Sequence, residues 1–182
     1  MDFVEGEILA FDKPYRWTSF DVVGKARWLL CHKLGVKKLK VGHSGTLDPL
    51  ATGVVVVCTG KKTKLIDQLQ AHQKEYVATL QLGATTPSFD LEKEIDATYP
   101  TEHITRALIE EVIPTFVGEQ WQVPPMFSAV KVDGKRAYKL ARKGEEVELK
   151  PKLLVIDEIE ILDFVKASMQ LTIRVVCSKG TY

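Results

Sequence analysis

Asparagine is absent from this 182-residue chain, so it carries no N-glycosylation site. Cysteine is scarce. Cys31, Cys58 and Cys177 are odd in number and far apart, with no CxxC pair, which argues against a disulfide scaffold or a zinc ribbon. No run of about 18 apolar residues occurs, so no membrane span is expected. No internal repeat and no low-complexity segment is present. Met1 to Glu7 holds three acids and no base, the wrong charge for a secretory or mitochondrial leader. The four histidines, His32, His43, His72 and His103, lack metal-ligand spacing. These absences predict a soluble, cytoplasmic, metal-independent protein. The 45% hydrophobic and 27% charged content is ordinary for a globular chain and excludes disorder and coiled coil.

Charge of both signs is plentiful but uneven. The net charge is +1, yet Val22 to Ile66 sums to +8 with Asp48 as its one acid. Thr86 to Glu119 sums to −6, and Lys131 to Lys152 to +4. Clustered Lys and Arg are the electrostatic footprint of a nucleic-acid binder, because each phosphate contact releases counterions. A solvated lysine-rich surface is the plainer alternative.

The patterning predicts an α+β fold with a substantial sheet. Ile8 to Phe11 reads as a strand ending at Asp12-Lys13-Pro14. Thr18 or Ser19 caps a helix with Phe20, Val23, Ala26 and Leu30 on its apolar face. Residues 42 to 53, with three glycines and a proline, read as a loop of demanding geometry. Val54 to Cys58 reads as a strand buried on both faces, and Lys61 to Leu69 as a short helix. Tyr76 to Leu82 alternates as a strand that Gly83 ends. Thr101 is expected to cap a helix that Pro114 stops. Residues 122 to 152 read as a basic excursion, with a hairpin at Asp133-Gly134 and a short helix near Ala137 to Arg142. Alternation around Ile159 and from Met169 to Cys177 predicts a closing hairpin.

Several catalytic motifs fail on single residues. Gly42-His43-Ser44-Gly45-Thr46 lacks the second glycine of a nucleophile elbow. Gly60-Lys61-Lys62-Thr63 lacks the first glycine of a P-loop, since position 55 is Val55. No GxGxxG follows a strand, so no nucleotide cofactor is expected. What survives is Asp48, a carboxylate in a glycine-framed loop among cations. Neighbouring positive charge favours its ionised form, which suits a nucleophile or a general base. A turn aspartate before proline is the alternative.

The stretch Gly42-His43-Ser44-Gly45-Thr46-Leu47-Asp48-Pro49-Leu50-Ala51-Thr52-Gly53 resembles the catalytic signature of tRNA pseudouridine synthases of the TruB family. Companion motifs follow in order: Asp12-Lys13-Pro14 with Thr18-Ser19; Lys74-Glu75-Tyr76 with Leu82-Gly83 and Asp90; Gln122-Val123-Pro124-Pro125 with Ser128-Ala129-Val130-Lys131, Gly134 and Ala137-Tyr138; and Ser178-Lys179-Gly180-Thr181-Tyr182. The resemblance spans nearly the whole chain. It implies a pseudouridine-synthase-like mixed, largely antiparallel sheet flanked by helices, forming one catalytic domain over 1–182, expected to be incomplete at its C-terminal end, with an RNA-gripping insertion at 122–152. It implies isomerisation of uridine to pseudouridine at position 55 of the tRNA T-loop, with no cofactor or metal. The partner it implies is the tRNA T-arm, with no DNA and no membrane, for a monomer.

By the same resemblance Asp48 is the catalytic carboxylate, attacking the ribose or abstracting a ribose proton. His43 is the wedge that fills the place of the extruded base, Tyr76 stacks under that base, and Tyr182 is a further base contact. Asp90 organises the site. Lys131 and Arg142, with Lys135, Arg136, Lys139 and Lys143, grip T-arm phosphates. Two departures stand out. A glycine is common two residues after the Lys-Pro pair, where this chain has Arg16, a change expected to touch no catalytic group. The final motif ordinarily continues into an isoleucine and an arginine that pairs with the catalytic aspartate, whereas this sequence ends at Tyr182. These 182 residues alone are therefore expected to be weakly active or inactive. The competing readings are a non-catalytic RNA-binding or RNA-folding module and a glycosidase using Asp48 and Asp90. The basic blocks argue against the glycosidase, and Asp48, His43 and Tyr76 together argue against the module.

Overall fold

The computed structural model describes residues 1–125, the backbone of 131–132 and 135–136, and residues 149–182. Two compact units divide the chain, Met1–His72 and Gln73–Tyr182.

The first unit is built on three antiparallel strands. β1 (Ile8–Lys13) pairs with β3 (Gly53–Thr59), which also pairs with β2 (Val41–His43), in the order β1-β3-β2. Between β1 and β2 runs α1 (Ser19–Leu34), and after β3 a 3-10 turn (Gly60–Leu65) leads into α2 (Ile66–Ala71). The loop expected to start at residue 42 therefore starts at Ser44, because Val41–His43 pairs with Val57–Thr59 as an edge strand. Val22 and Val23 of α1 pack with Leu39, Val41, Val55 and Val57 as the core, joined by Phe11, Leu30 and Leu47. The apolar face of α1 is thus set by Val22, Val23, Ala26 and Leu30, while Phe20, expected on it, is 64% exposed. β3 is buried from Val55 onward except for a half-buried Val56; Val54 at its start lies open to solvent, so burial on both faces begins one residue later than expected.

The second unit carries a four-stranded antiparallel sheet in the order β4-β11-β10-β7. Its strands are β4 (Lys74–Gln81), β7 (Gly118–Gln122), β10 (Lys152–Val165) and β11 (Gln170–Cys177). Two short pairs accompany it, β5 (Ala84–Thr85) with β6 (Ala97–Thr98) and β8 (Lys131–Val132) with β9 (Lys135–Arg136). The pairing Lys131↔Arg136 and Val132↔Lys135 is the hairpin expected around Asp133-Gly134. The helix expected near Ala137 to Arg142 lies outside the described residues.

α3 (Arg106–Val112) starts one turn later than expected. Thr105, not Thr101, is its cap, with its hydroxyl accepting from the Leu108 N–H at 3.2 Å. Pro114 falls in a 3-10 turn directly after it, where a proline in the first turn costs no hydrogen bond. Gly83 ends β4 at φ +83°, and a side chain there would collide with Thr101. β10 is longer than the sequence suggests. Its first residues pair with β7, Lys152 opposite Gln122, so the segment between Gln122 and Lys152 leaves and returns at neighbouring sheet positions. Arg174 on β11 bonds Glu75 of β4 and Glu158 and Glu160 of β10, at 3.0, 2.6 and 2.8 Å, lacing three strands together. No helix among the described residues is long and apolar enough to cross a membrane.

Candidate active site

Asp48 is an exposed residue between two anchored neighbours. On one side, Ser19 is the first residue of α1, and its hydroxyl holds the backbone of Leu47. On the other, the Pro49 carbonyl accepts from the Arg16 N–H at 2.7 Å and lies 3.5 Å from the Lys13 Nζ. The Ala51 N–H returns to the Asp48 carbonyl at 3.0 Å, closing a turn over Pro49 and Leu50. The peptide segment is thus fixed before, at and after the carboxylate, while the carboxylate itself remains at the surface.

Lys13, which the sequence shows only as part of a motif and without a role, supports the loop at Pro49. It has no solvent exposure, and its Nζ donates to the carbonyls of Trp17 at 2.6 Å and Pro14 at 3.2 Å. Burial pushes its ammonium below the ordinary lysine value, and attraction to Asp48 and then Asp21 opposes that shift. A buried cation and the loop carboxylate therefore share one local field. The signal was present in β1: Leu9 and Phe11 point inward, and the alternation carries to Lys13.

Arg16 also proves closer to the loop than expected. It sits at φ +66°, in the left-handed region, and spends its backbone N–H on Pro49, the residue after Asp48. The position keeps a glycine-like conformation with an arginine in it.

His43 ends β2, and its Nδ1 bonds the Gly45 carbonyl. A carbonyl only accepts, so Nδ1 carries the proton and the ring is held by its own loop. Ser44 is buried and donates its N–H to the Val56 carbonyl at 2.9 Å, tying that loop to β3. His43 therefore stands at the end of β2, where the loop that carries Asp48 begins.

Tyr76, Asp90 and Tyr182 belong to the second unit. Tyr76 lies on β4 opposite Val175 and is part-exposed. Asp90 Oδ1 accepts from the Ser88 hydroxyl at 2.6 Å and the Glu92 N–H at 3.0 Å, which makes it the organiser of its own turn. Tyr182 exchanges two backbone hydrogen bonds with the Gln122 side-chain amide, at 2.6 and 2.9 Å. Lys131 starts β8, and Arg142 lies outside the described residues. Cys58 and Cys177 are buried free thiols, and burial pushes the Cys58 thiol up. Among the described residues no three His, Cys, Asp or Glu side chains gather as a metal site.

Residues 32–182 match the family model described as TruB family pseudouridylate synthase (N terminal domain). The chain is 70% identical over its whole length to "tRNA pseudouridine synthase B" of Phocaeicola vulgatus, of which it spans 77%. It is 53% identical to the protein of the same name from Flavobacterium johnsoniae, spanning 79% of it. Among solved structures it resembles a chain of the "Crystal Structure of a Cbf5-Nop10-Gar1 Complex". There the TM-score is 0.67 at 27% identity, covering 99% of this chain and 41% of that one.

Proposed function

The chain belongs to the TruB family of pseudouridylate synthases, and from that membership we propose that Asp48 is the carboxylate of a uridine-to-pseudouridine isomerisation in the T-loop of tRNA, at position 55. The protein is an RNA pseudouridine synthase acting on tRNA. In the reaction the N1–C1′ bond of the uridine breaks, the base turns, and a C5–C1′ bond forms. The C5 proton leaves and N1 gains one, so the change is an isomerisation with no net redox step.

One observation supports the assignment above the others: Leu47 and Pro49 are anchored on either side of an exposed Asp48. A catalytic group held in place before substrate arrives avoids the ordering cost at the moment of reaction. Asp48 either attacks the ribose C1′ or removes a ribose proton. His43, with its ring held by the Gly45 carbonyl, takes the place of the extruded base. Extrusion costs a few kcal/mol, and stacking returns roughly 1–3 kcal/mol per base. Tyr76 stacks on the target base, Tyr182 adds a contact, and Asp90 organises the site. The basic stretch 122–152, with Lys131 and Arg142, grips phosphates of the T-arm. The protein works in the cytoplasm as a monomer.

The deciding experiment uses a T-arm stem-loop tritiated at uridine C5. The intact protein should release tritium, and Asp48→Asn should bind the RNA without releasing it. Binding by the intact protein with no release would favour an RNA-binding module over an enzyme.

A further inference from the structure

Arg16 occupies a conformation that its side chain makes costly. At φ +66° a residue with a Cβ is crowded against the neighbouring carbonyl, and such outliers persist where the surroundings hold them. Here the hold is visible: the Arg16 N–H donates to the Pro49 carbonyl at 2.7 Å, one residue past Asp48. The backbone bond would form equally with glycine, so it does not explain an arginine. The side chain does something else. Its guanidinium lies over the exposed ring of Tyr15, 5.5 Å from the centroid. Stacking on an aromatic face leaves the in-plane N–H fork available for an anion and reduces the freedom lost when one binds. Among the described residues no carboxylate pairs with it. The result is a cation held over Tyr15 on a residue whose backbone is bonded to the Asp48 loop.

We propose that Arg16, stacked on Tyr15, binds a backbone phosphate of the RNA beside the nucleotide presented to Asp48, and so sets substrate affinity at the catalytic loop. The inference rests on the reading of Asp48 as the catalytic group of an RNA enzyme. A planar, bidentate donor suits a phosphate better than a base edge, because the contact must hold whichever bases flank the target.

The test is Arg16→Gly in the intact protein, with Arg16→Lys beside it. Glycine accepts the left-handed conformation, so the variant should melt no lower than wild type, and a binding defect cannot be misread as unfolding. On the tritiated T-arm stem-loop, KM should rise about three- to tenfold while kcat changes less than twofold. The slope of log affinity against log salt should flatten by about 0.7–0.9, the value of one lost phosphate contact. Arg16→Lys keeps the charge and should restore the slope but not the whole affinity. An Arg16→Gly protein with wild-type KM and salt slope overturns the inference while leaving the enzyme reading intact. A wild-type protein that neither binds nor isomerises the RNA overturns both.

Discussion

The Ser19 hydroxyl closes a two-way hydrogen bond with the backbone of Leu47, accepting from its N–H at 2.9 Å and donating to its carbonyl at 3.2 Å. Twenty-eight residues separate the two, and the next residue along is Asp48. Ser19 is buried, so removing its hydroxyl strands a backbone donor and an acceptor together. Ser19→Ala should therefore cost about 1–3 kcal/mol in urea unfolding. It should also lower kcat by about 10- to 100-fold through misplacement of the carboxylate, with a smaller change in KM. A variant that loses stability but retains full kcat at a temperature where it is folded would show that the bond serves the fold alone.

Lys13 makes a prediction at alkaline pH. Its folded-state value lies below the ordinary 10.5, because burial disfavours the ammonium more than Asp48 and Asp21 favour it. Between those two values the unfolded chain binds more protons than the folded one, so stability should rise with pH across that window. Below it both states are protonated and the folded state bears the full cost of the buried charge. Lys13→Met removes the titration at similar volume. The stability of wild type minus that of the variant should climb as pH passes from the folded value toward 10.5. A flat difference, read from urea midpoints at several pH values, would refute the assignment.

How much of this was legible beforehand follows the physics of each residue. The strands over Tyr76–Gln81 and Gln170–Cys177 were readable because alternation is a local property of the chain. The face of α1 was misjudged at Phe20, since a helix with apolar residues on several sides does not say which side the sheet covers. Thr105 caps α3 in place of Thr101 because either threonine suits a cap, and the turn closed by the Ile104 N–H on the Thr101 carbonyl delays the helix. Asp48, His43 and Tyr76 were legible through a family motif rather than through patterning. Lys13 and Ser19 were not singled out as loop supports, because their contacts to Pro49 and Leu47 are long-range and no spacing rule encodes them.

The start of α1 carries a reciprocal cap whose strength should depend on acid. The Thr18 hydroxyl accepts from the Asp21 N–H at 3.1 Å, and the Asp21 carboxylate accepts from the Thr18 N–H at 2.8 Å and its hydroxyl at 2.7 Å. The hydroxyl bond first, and the backbone bond second, hold the Asp21 carboxyl below its ordinary 3.8. Its stabilising effect is complete above 3.8 and is lost as pH falls through the lower folded value. Thr18→Ala should cost about 1 kcal/mol at neutral pH. The gap between wild type and variant should shrink in acid, and a gap that stays constant down to the acid transition would exclude the box as its source.

The same substitution at two glycines should act in opposite directions. Gly24 lies inside α1 with nothing within 4 Å of where a Cβ would stand. Gly24→Ala trades backbone freedom in the unfolded chain for helix propensity at no steric cost, and should stabilise by about 1 kcal/mol. Gly60 follows β3 at φ +52°, where a Cβ would stand 2.1 Å from the Val4 carbonyl oxygen and 2.9 Å from that of Phe3. Those atoms are backbone, and Gly60 and Lys61 donate to the Lys40 and Glu5 carbonyls, so the segments cannot separate without breaking bonds. Left-handed strain of about 1–2 kcal/mol and overpacking of about 1–3 kcal/mol combine to a loss of roughly 2–5 kcal/mol for Gly60→Ala. Urea unfolding of both variants checks the pair, with opposite shifts of the midpoint and similar slopes expected. A Gly60→Ala protein as stable as wild type would mean that the N-terminal segment does not lie against the end of β3.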